Sequence, residues 1–190
     1  MEPSRKKTVE LHQAKWLIEP GCVLLVSSGD TKKANVMTIS WQTPIHTANP
    51  FRFLLVMRRN RYSYELIDEN SELVVNIPGE ELLEAVHTAG VISGRGIDKF
   101  RKCGLTAEPS VKAAPPRVAE CAGHLECRVM QRIPVGTHDL LICEPLVAAA
   151  DPRKFDRHWI TEQHKTLHYM NGTLYGVMDR TISAATGEVD

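Results

Sequence analysis

The sequence predicts a mainly β fold, in which an antiparallel barrel or sandwich carries short helical insertions. About six or seven stretches show the hydrophobic pattern of strands, and only two or three show that of short helices. These patterns do not alternate regularly, as they would in a parallel, doubly wound sheet. The 190 residues, of which 43% are hydrophobic, suffice for one domain with a sizeable core.

The first two predicted strands form a hairpin. Residues 22–26 are a continuous apolar run, which predicts a buried strand. In residues 35–41 the side chains alternate between two faces, which predicts a second, half-buried strand. The turn-forming residues 29–32 lie between the two runs and favour antiparallel pairing.

The later strands and the helices follow from the same patterns. The predicted strands after the hairpin are 51–57, 72–77, 125–130, 138–149 and 173–178, and the predicted helices are 63–69, 80–88 and 98–102. Pro44 and Pro50 bracket a predicted loop. Residues 107–119 are rich in proline and predict an extended connector rather than a domain linker. Pro145, inside a predicted strand, indicates a sheet edge or a β-bulge.

Charge and cysteine content disfavour several classes of protein. Lys and Arg number 23, as do Asp and Glu, so the zero net charge does not favour binding to nucleic acid or to an anionic membrane. No apolar run approaches the ~20 residues that span a bilayer, and the charged residues 1–10 do not form a signal peptide. The five cysteines form no CxxC pair, which favours free thiols in a reducing cytoplasm.

Several common catalytic and metal-binding motifs are absent from the sequence. It contains no GxGxxG, GxxxxGK[ST], HExxH or GxSxG pattern and no zinc-finger spacing. A Rossmann dehydrogenase, a P-loop NTPase, a standard zinc protease and an α/β-hydrolase are therefore disfavoured. His164 and His168 would share a metal if they lay on a helix, but no obvious third ligand accompanies them. A surface pair is the favoured interpretation, and no metal site is predicted.

Two basic turns, each followed by a short predicted helix, carry the strongest functional signal. The first is residues 58–63 (RRNRYS), and the second is residues 93–96 (SGRG), which precede Asp98, Lys99 and Phe100. A phosphate group requires cations, hydroxyl donors and unpaired backbone N–H groups, and helix N-termini and glycines provide the last of these. The pattern indicates an anion site, although two solvated arginine-rich loops would show the same spacing.

The end of the predicted strand 35–41 carries a second functional pattern. Met37, Thr38, Ser40 and Trp41 place hydroxyls on one face of the strand and a tryptophan on the other. Such side chains can border a planar heteroaromatic ligand. An ordinary amphipathic strand with its tryptophan in the core would show the same pattern.

Together these stretches resemble the flavin reductase-like family of FMN-binding split barrels, which includes flavoredoxins. The resemblance covers roughly residues 18–149, and its stretches are 35–41 with Thr43 and Pro44, 61–67, 75–78, 93–95, 98–100, 104–106 and 124–129. Each stretch is weak alone, whereas their order and spacing make the set specific. Ser63, Gly96 and Cys143 depart from the residues that are commoner in the family.

The resemblance implies a six-stranded antiparallel Greek-key split β-barrel, normally a homodimer, with FMN in a groove near the subunit interface. The cofactor-binding residues that it implies are Met37, Thr38, Ser40 and Trp41 at the isoalloxazine, Asn60, Arg61, Ser63, Ser93, Arg95 and Lys99 along the ribityl phosphate, and Phe100 packed nearby. The two basic turns would then be two walls of one phosphate site. The C-terminal segment matches the family only loosely, and Tyr169 is its candidate lid residue.

The activity that the resemblance implies is an NAD(P)H-dependent flavin reductase, in which a hydride passes from nicotinamide to flavin N5. NADH or NADPH would bind only transiently, so the reaction does not require a Rossmann motif. Hydride transfer needs no side-chain acid or base, and no catalytic residue is assigned. The alternatives are a flavoredoxin-like electron carrier that serves a redox protein partner, and a split barrel that no longer binds flavin.

Composition and the resemblance together suggest three segments in the chain. Residues 1–19 are a polar N-terminal extension, residues 20–180 are the expected FMN-binding split-barrel domain, and residues 181–190 are a flexible tail. All candidate site residues lie in the middle segment.

Overall fold

The computed structural model describes residues 6–12, 14 and 22–184. Its strands are β1 (Lys7–Val9), β2 (Leu24–Ser28), β3 (Asn35–Ile39), β4 (Gln42–His46), β5 (Arg52–Arg58), β6 (Glu72–Ile77), β7 (Ala107–Glu108), β8 (Arg117–Val118), β9 (Gly123–Val135), β10 (His138–Ala150), β11 (Phe155–Asp156), β12 (His158–Trp159), β13 (Leu167–Asn171) and β14 (Leu174–Val177). Its helices are α1 (Tyr62–Asn70), α2 (Leu83–Val91) and α3 (Lys99–Lys102), and a 3₁₀ turn (Glu80–Leu82) precedes α2.

Much of the predicted extension, 1–19, and of the predicted tail, 181–190, lies outside the described residues. The strand β1 falls within the extension and pairs with β10. None of the described helices is long and apolar enough to cross a membrane.

The main sheet is antiparallel and curls until its two edges meet. Its strand order is β3-β2-β6-β9-β10-β5-β4, and β1 joins beside β10. The two end strands, β3 and β4, are separated in the sequence only by Ser40 and Trp41. Because this link is too short to cross a flat sheet, the sheet must fold round on itself. The result is a barrel split at the seam between β3 and β4.

The described sheet has eight strands, where the resemblance implied six. One of the two additional strands is β1, and the other is β4, which occupies part of the loop predicted between Pro44 and Pro50. That loop prediction is wrong at Pro44, which pairs with Phe53 of β5. The sheet tolerates this proline because β4 is an edge strand, on which a missing N–H can face away from the neighbouring strand.

Two hydrophobic clusters lie on opposite faces of β2. Leu24 and Val26 belong to the main cluster inside the barrel, whereas Val23 and Leu25 belong to a second cluster that includes residues of α2 and α3. Burial of each such side chain stabilises the fold by about 1.5–3 kcal/mol. The run 22–26 is therefore apolar at every position because this strand is covered on both sides. The predicted hairpin of β2 and β3 is confirmed.

A β-bulge, rather than a sheet edge, explains Pro145. The strand β10 lies between β5 and β9, and its register with β9 shifts between Pro145 and Val147. The buried position of β10 also encloses Cys143, and all five cysteines are free thiols, as expected.

The prediction that His164 and His168 form a surface pair is wrong for His164, whose side chain is buried. His164 follows a turn and His168 lies in β13, so no helix presents the two side chains together. The His164 ring packs on Trp159, with ring centroids 4.5 Å apart, and burial lowers the pKa of His164 to about 4. Within the described part of the chain, no group of three or more His, Cys, Asp or Glu side chains is arranged to hold a metal ion.

Candidate functional site

A groove runs along the seam of the split barrel and consists of three adjoining cavities. We name them the strand cleft, of about 350 Å³, the basic pocket, of about 300 Å³, and the hairpin pocket, of about 260 Å³. Arg61 lines all three cavities, so they adjoin one another at this residue. The groove therefore offers one connected site of mixed polarity.

The three cavities have distinct linings. The strand cleft is lined by 37–41, 56–58, Arg61, His138 and Tyr169. The basic pocket is lined by Asn35, Met37, Arg58, 60–63, 89–90, 92–94 and Lys99. The hairpin pocket is lined by Thr38, Ser40, Arg61, His87, 90–91, Tyr169, Gly172 and Tyr175.

The basic pocket lies at the N-terminus of α1. Arg61 is the N-cap residue, and its side chain makes no capping hydrogen bond. The first-turn N–H groups therefore present the positive end of the helix dipole without a side-chain cap. Ser63, in this first turn, is buried, and its Oγ accepts a hydrogen bond from Asn35 Nδ2 at 2.6 Å. The contact fixes the position of the Ser63 hydroxyl at the pocket wall.

Gly94 allows Asn35 to occupy this position. A Cβ atom at Gly94 would lie only 2.1 Å from Asn35 Oδ1. Any other residue at position 94 would therefore push the Asn35 side chain out of its place. Asn35 Oδ1 is buried and has no hydrogen-bond partner among the described residues. A buried acceptor without a partner is costly, so the pocket wall offers an acceptor that a ligand hydroxyl can satisfy.

Lys99 is a buried cation in the basic pocket. Its Nζ donates a hydrogen bond to the backbone oxygen of Ala89 at 2.5 Å. Burial lowers the pKa of Lys99 to about 8, with a smaller contribution in the same direction from the nearby Arg61. The ammonium is therefore still largely charged at neutral pH, and its remaining N–H groups can meet an anion.

The strand cleft follows the edge of the sheet. Because β3 ends the strand order, one side of its backbone is not paired with a strand of the described sheet. Thr38 Oγ1 donates to the backbone oxygen of Val86 at 2.5 Å, which ties β3 to α2. Gly90 of α2 approaches Thr38 so closely that an added Cβ would lie 3.3 Å from Thr38 Cβ. The cleft thus combines unpaired backbone groups with a firmly held strand.

The first basic turn is fastened to the end of β10. Arg59 forms an ion pair with the buried Asp139, with Nε 3.1 Å from Oδ1, and Tyr64 Oη donates to Asp139 Oδ2 at 2.5 Å. Burial, together with this carboxylate, raises the pKa of Tyr64 to about 12. Arg58 Nε donates to His138 Nε2 at 3.2 Å, and the His138 ring lies 5.7 Å from that of Trp41. These contacts hold Arg58 and His138 together at the cleft.

Most of the predicted site residues meet in this groove. The residues that line it are Met37, Thr38, Ser40, Trp41, Asn60, Arg61, Ser63, Ser93 and Lys99. Arg95 and Phe100 are placed differently. The Arg95 guanidinium pairs with Glu65 and lies 5.4 Å from the centre of the Tyr62 ring, whereas Phe100 is buried in the second hydrophobic cluster.

Several lining residues were not predicted from the sequence. Arg58 lies inside the predicted basic turn, and Asn35 begins the predicted strand, so local patterns could have identified both. His138, His87 and Tyr175 come from distant segments and carry no local signal. His138 reaches the cleft because β10 pairs with β5 in a register that sets His138 opposite Arg58.

Comparisons with known sequences give a consistent result. A family model described as a flavin reductase-like domain matches residues 18–177. The uncharacterized protein YddH of Escherichia coli is 29% identical over 188 residues, which span 95% of this chain and 99% of YddH. The FMN reductase (NADH) RutF of Pseudomonas syringae is 33% identical over 99 residues, which span 52% of this chain and 53% of RutF.

Solved structures confirm the expected split-barrel fold. An FMN-binding domain of a flavin reductase-like enzyme from Shewanella baltica has a TM-score of 0.86 and 26% identity, and covers 95% of this chain and 97% of its own. Flavoredoxin from Methanosarcina acetivorans has a TM-score of 0.78 and 24% identity, and covers 88% of this chain and 90% of its own. The similarity to the flavoredoxin concerns the fold alone.

Proposed function

The chain belongs to the flavin reductase-like domain family, and from this premise we propose that it binds FMN and reduces it with NADH or NADPH. The observation that carries the proposal is the groove, in which an anion pocket and an unpaired strand edge are joined through Arg61. The RutF relative, which is named an FMN reductase that uses NADH, supports the choice of electron donor.

The basic pocket fits the phosphate of FMN. Arg61 and Lys99 supply positive charge, and the uncapped start of α1 supplies N–H groups in the manner of other phosphate-binding helix termini. Ser63 and Ser93 add hydroxyl groups to the same pocket. The unsatisfied Oδ1 of Asn35 matches the hydroxyl donors of the ribityl chain. The positive charge, the hydrogen-bond donors and the unsatisfied acceptor of Asn35 therefore all suit this cofactor.

The strand cleft fits a planar ring with polar edges. The open side of β3 can pair with the carbonyl and N–H groups of the isoalloxazine through its backbone. Met37 and Trp41 line the cleft beside it and supply apolar contact. Arg58 and Arg61 line it as well, and their positive charge favours an electron-rich ring.

When bound, FMN would supply the redox chemistry as the acceptor of a hydride from the nicotinamide. The protein aligns the two rings and surrounds them with fixed donors and charges. Because hydride transfer itself requires no side-chain acid or base, we assign no residue as a catalytic acid or base.

We further propose that the protein acts as a homodimer in the cytoplasm. Trp41 is 60% exposed, and Ile45, Ile133 and Val135 are further exposed apolar side chains, which suits burial against a second copy. The five free thiols suit a reducing compartment.

The visible spectrum of the purified protein, before and after anaerobic mixing with NADH or NADPH, tests this function. We expect a bound yellow flavin that bleaches on mixing. A protein that holds FMN and does not bleach would instead be an electron carrier of the flavoredoxin kind. A protein that takes up no FMN when the cofactor is added would contradict the proposal as a whole.

A further inference from the structure

Asp139 is a buried carboxylate that lies beside the groove and is not among the residues that line it. It is on the same face of β10 as Leu141 and Cys143, which belong to the main hydrophobic cluster. A carboxylate at such a position is costly unless it is paired. Asp139 is paired twice, by an ion pair with Arg59 and by a hydrogen bond from the Tyr64 hydroxyl. Both partners belong to the segment that forms one wall of the basic pocket.

Arg59 differs from the two other arginines of the first basic turn. Arg58 and Arg61 line the groove, whereas Arg59 lines none of the three cavities described above. The backbone N–H of Arg59 donates to the backbone oxygen of Thr137 at 3.3 Å, and its guanidinium donates to the backbone oxygen of Gly136. Arg59 thus fastens the basic turn to the turn between β9 and β10 instead of contributing to the pocket.

The two partners of Asp139 lie on either side of Arg61 in the sequence. The Arg61 N–H donates to the backbone oxygen of Arg58 at 3.2 Å, and the Tyr64 N–H donates to the backbone oxygen of Arg61 at 3.0 Å. The segment from Arg58 to Tyr64 therefore consists of two consecutive hydrogen-bonded turns. When Arg59 and Tyr64 are both held in place, the position of Arg61 and of the first N–H groups of α1 is fixed as well.

The rest of α1 is held by contacts that do not include Asp139. Leu66 and Ile67 are buried. Arg132 of β9 donates from Nη2 to the backbone oxygen of Ile67 at 3.1 Å, near the C-terminal end of the helix. A change at Asp139 should therefore affect the first turn of α1 more than the helix as a whole.

We propose that Asp139 is a positioning residue for the phosphate of FMN. It acts through Arg59 and Tyr64, which hold the segment between them so that Arg61 and the N–H groups at the start of α1 face the basic pocket. This inference rests on the proposed function, which assigns the basic pocket to the phosphate of FMN. FMN affinity should therefore depend on a residue that does not itself line the FMN site.

Asp139→Asn tests this role because two explanations predict effects of opposite sign. Removal of a negative charge favours an anionic ligand by Coulomb's law, so an effect of charge alone would strengthen FMN binding. Loss of the ion pair with Arg59 loosens the basic turn, so the positioning role predicts that FMN affinity falls about tenfold. Riboflavin has the same ring and ribityl chain without the phosphate, and its affinity should change less than about twofold. Fluorescence titration of the cofactor-free protein measures both affinities.

Tyr64→Phe removes the other contact of Asp139 without a change of charge. The phenylalanine ring keeps the packing of Tyr64 against the main hydrophobic cluster, and the hydrogen bond to Asp139 is lost. We expect FMN affinity to fall about threefold and riboflavin affinity to stay the same. If Asp139→Asn does not fold, Tyr64→Phe decides between the outcomes on its own.

Glu144→Gln is the matched control. Glu144 also lies on β10 and pairs with an arginine of β5, with Arg52 Nε 3.1 Å from Glu144 Oε2, the same distance as between Arg59 Nε and Asp139 Oδ1. Neither Glu144 nor Arg52 lines the groove. The substitution should therefore change neither flavin affinity. Circular dichroism checks that each variant is folded at the temperature of the titration.

The outcomes separate this inference from the proposed function. Unchanged or stronger FMN binding in Asp139→Asn would overturn the positioning role and leave the function standing. An equal loss for FMN and riboflavin, or the same loss in Glu144→Gln, would also overturn it, because the role of Asp139 would then be a general structural one. A loss confined to FMN, in a protein whose flavin NAD(P)H does not bleach, would support the positioning role and contradict the reductase activity. A wild-type protein that binds neither flavin would overturn both.

Discussion

The two ends of the groove are built in opposite ways. At the basic pocket three polar side chains, those of Asn35, Ser63 and Lys99, are buried, and they are held by short contacts, between Asn35 and Ser63 at 2.6 Å and between Lys99 and a backbone oxygen at 2.5 Å. At the hairpin pocket the side chains are more exposed, and the contact between His87 and Tyr175 is longer, at 3.3 Å. The first end is fixed by the fold, and the second is open to exchange.

Under the proposed function, this difference matches a resident cofactor at one end of the groove and a transient electron donor at the other. A resident cofactor binds tightly when the protein has already ordered its polar groups during folding, because little entropy is then lost on binding. A second substrate that enters and leaves in each cycle requires a more open site. We therefore expect the basic pocket to contribute most of the free energy of FMN binding. Substitutions in and around this pocket test that expectation.

The largest effect is expected from Arg61→Ala. Arg61 is the N-cap of α1 and lines all three cavities, and its loss removes charge-assisted hydrogen bonds worth about 1.5–3 kcal/mol each. We expect FMN affinity to fall about 100-fold, with the melting temperature of the cofactor-free protein unchanged. Fluorescence titration of FMN measures the first quantity.

The control for this variant is Arg101→Ala. Arg101 is an exposed arginine of α3 that does not line the basic pocket. If both variants lost FMN affinity equally, general positive charge rather than the pocket would hold the cofactor.

A smaller effect is expected from the titration of Lys99. As the pH rises, the loss of its charge should weaken FMN binding but increase the free energy of unfolding. Its pKa in the folded, cofactor-free protein is about 8, below the ordinary lysine value of 10.5, because the ammonium is buried. Raising the pH from 7 to 9 removes its charge, so FMN affinity should fall about tenfold. Between pH 8 and 10.5 the unfolded chain binds more protons than the folded one at this residue, so its contribution to the free energy of unfolding should rise with pH.

Riboflavin and Lys99→Met are the controls for this pH dependence. Riboflavin lacks the phosphate, so its affinity should not show the decline that FMN shows. Lys99→Met should abolish the decline for FMN as well. A decline of the same steepness in Lys99→Met would assign the titration to another group.

Sequence patterns predicted the parts of the molecule that depend on neighbouring residues. The strand pattern of 35–41 and the basic turn 58–63 are local, and both lie at the groove. His138 could not be predicted in this way, because only the pairing of β10 with β5 sets it opposite Arg58. The strand β4 was missed because Pro44 favours a loop locally, whereas the edge of a curled sheet accepts it. The family resemblance implied that Phe100 packs near the cofactor, but its side chain is buried in the second hydrophobic cluster.

The smallest effect is expected from Arg95→Ala, the residue that most directly tests how far the basic pocket extends. The sequence suggested Arg95 as a phosphate ligand, whereas its guanidinium pairs with Glu65 over the Tyr62 ring, outside the pocket lining. Since exposed ion pairs contribute little, we expect FMN affinity to fall about two- to threefold at most. Glu65→Gln, which releases Arg95 from its partner, should leave FMN affinity the same or slightly higher. If Arg95→Ala instead matched the loss in Arg61→Ala, Arg95 would have to leave Glu65 for the phosphate on binding. Part of the basic pocket would then form only when FMN binds. The basic pocket and the hairpin pocket would in that case differ less in how far the fold orders them before binding.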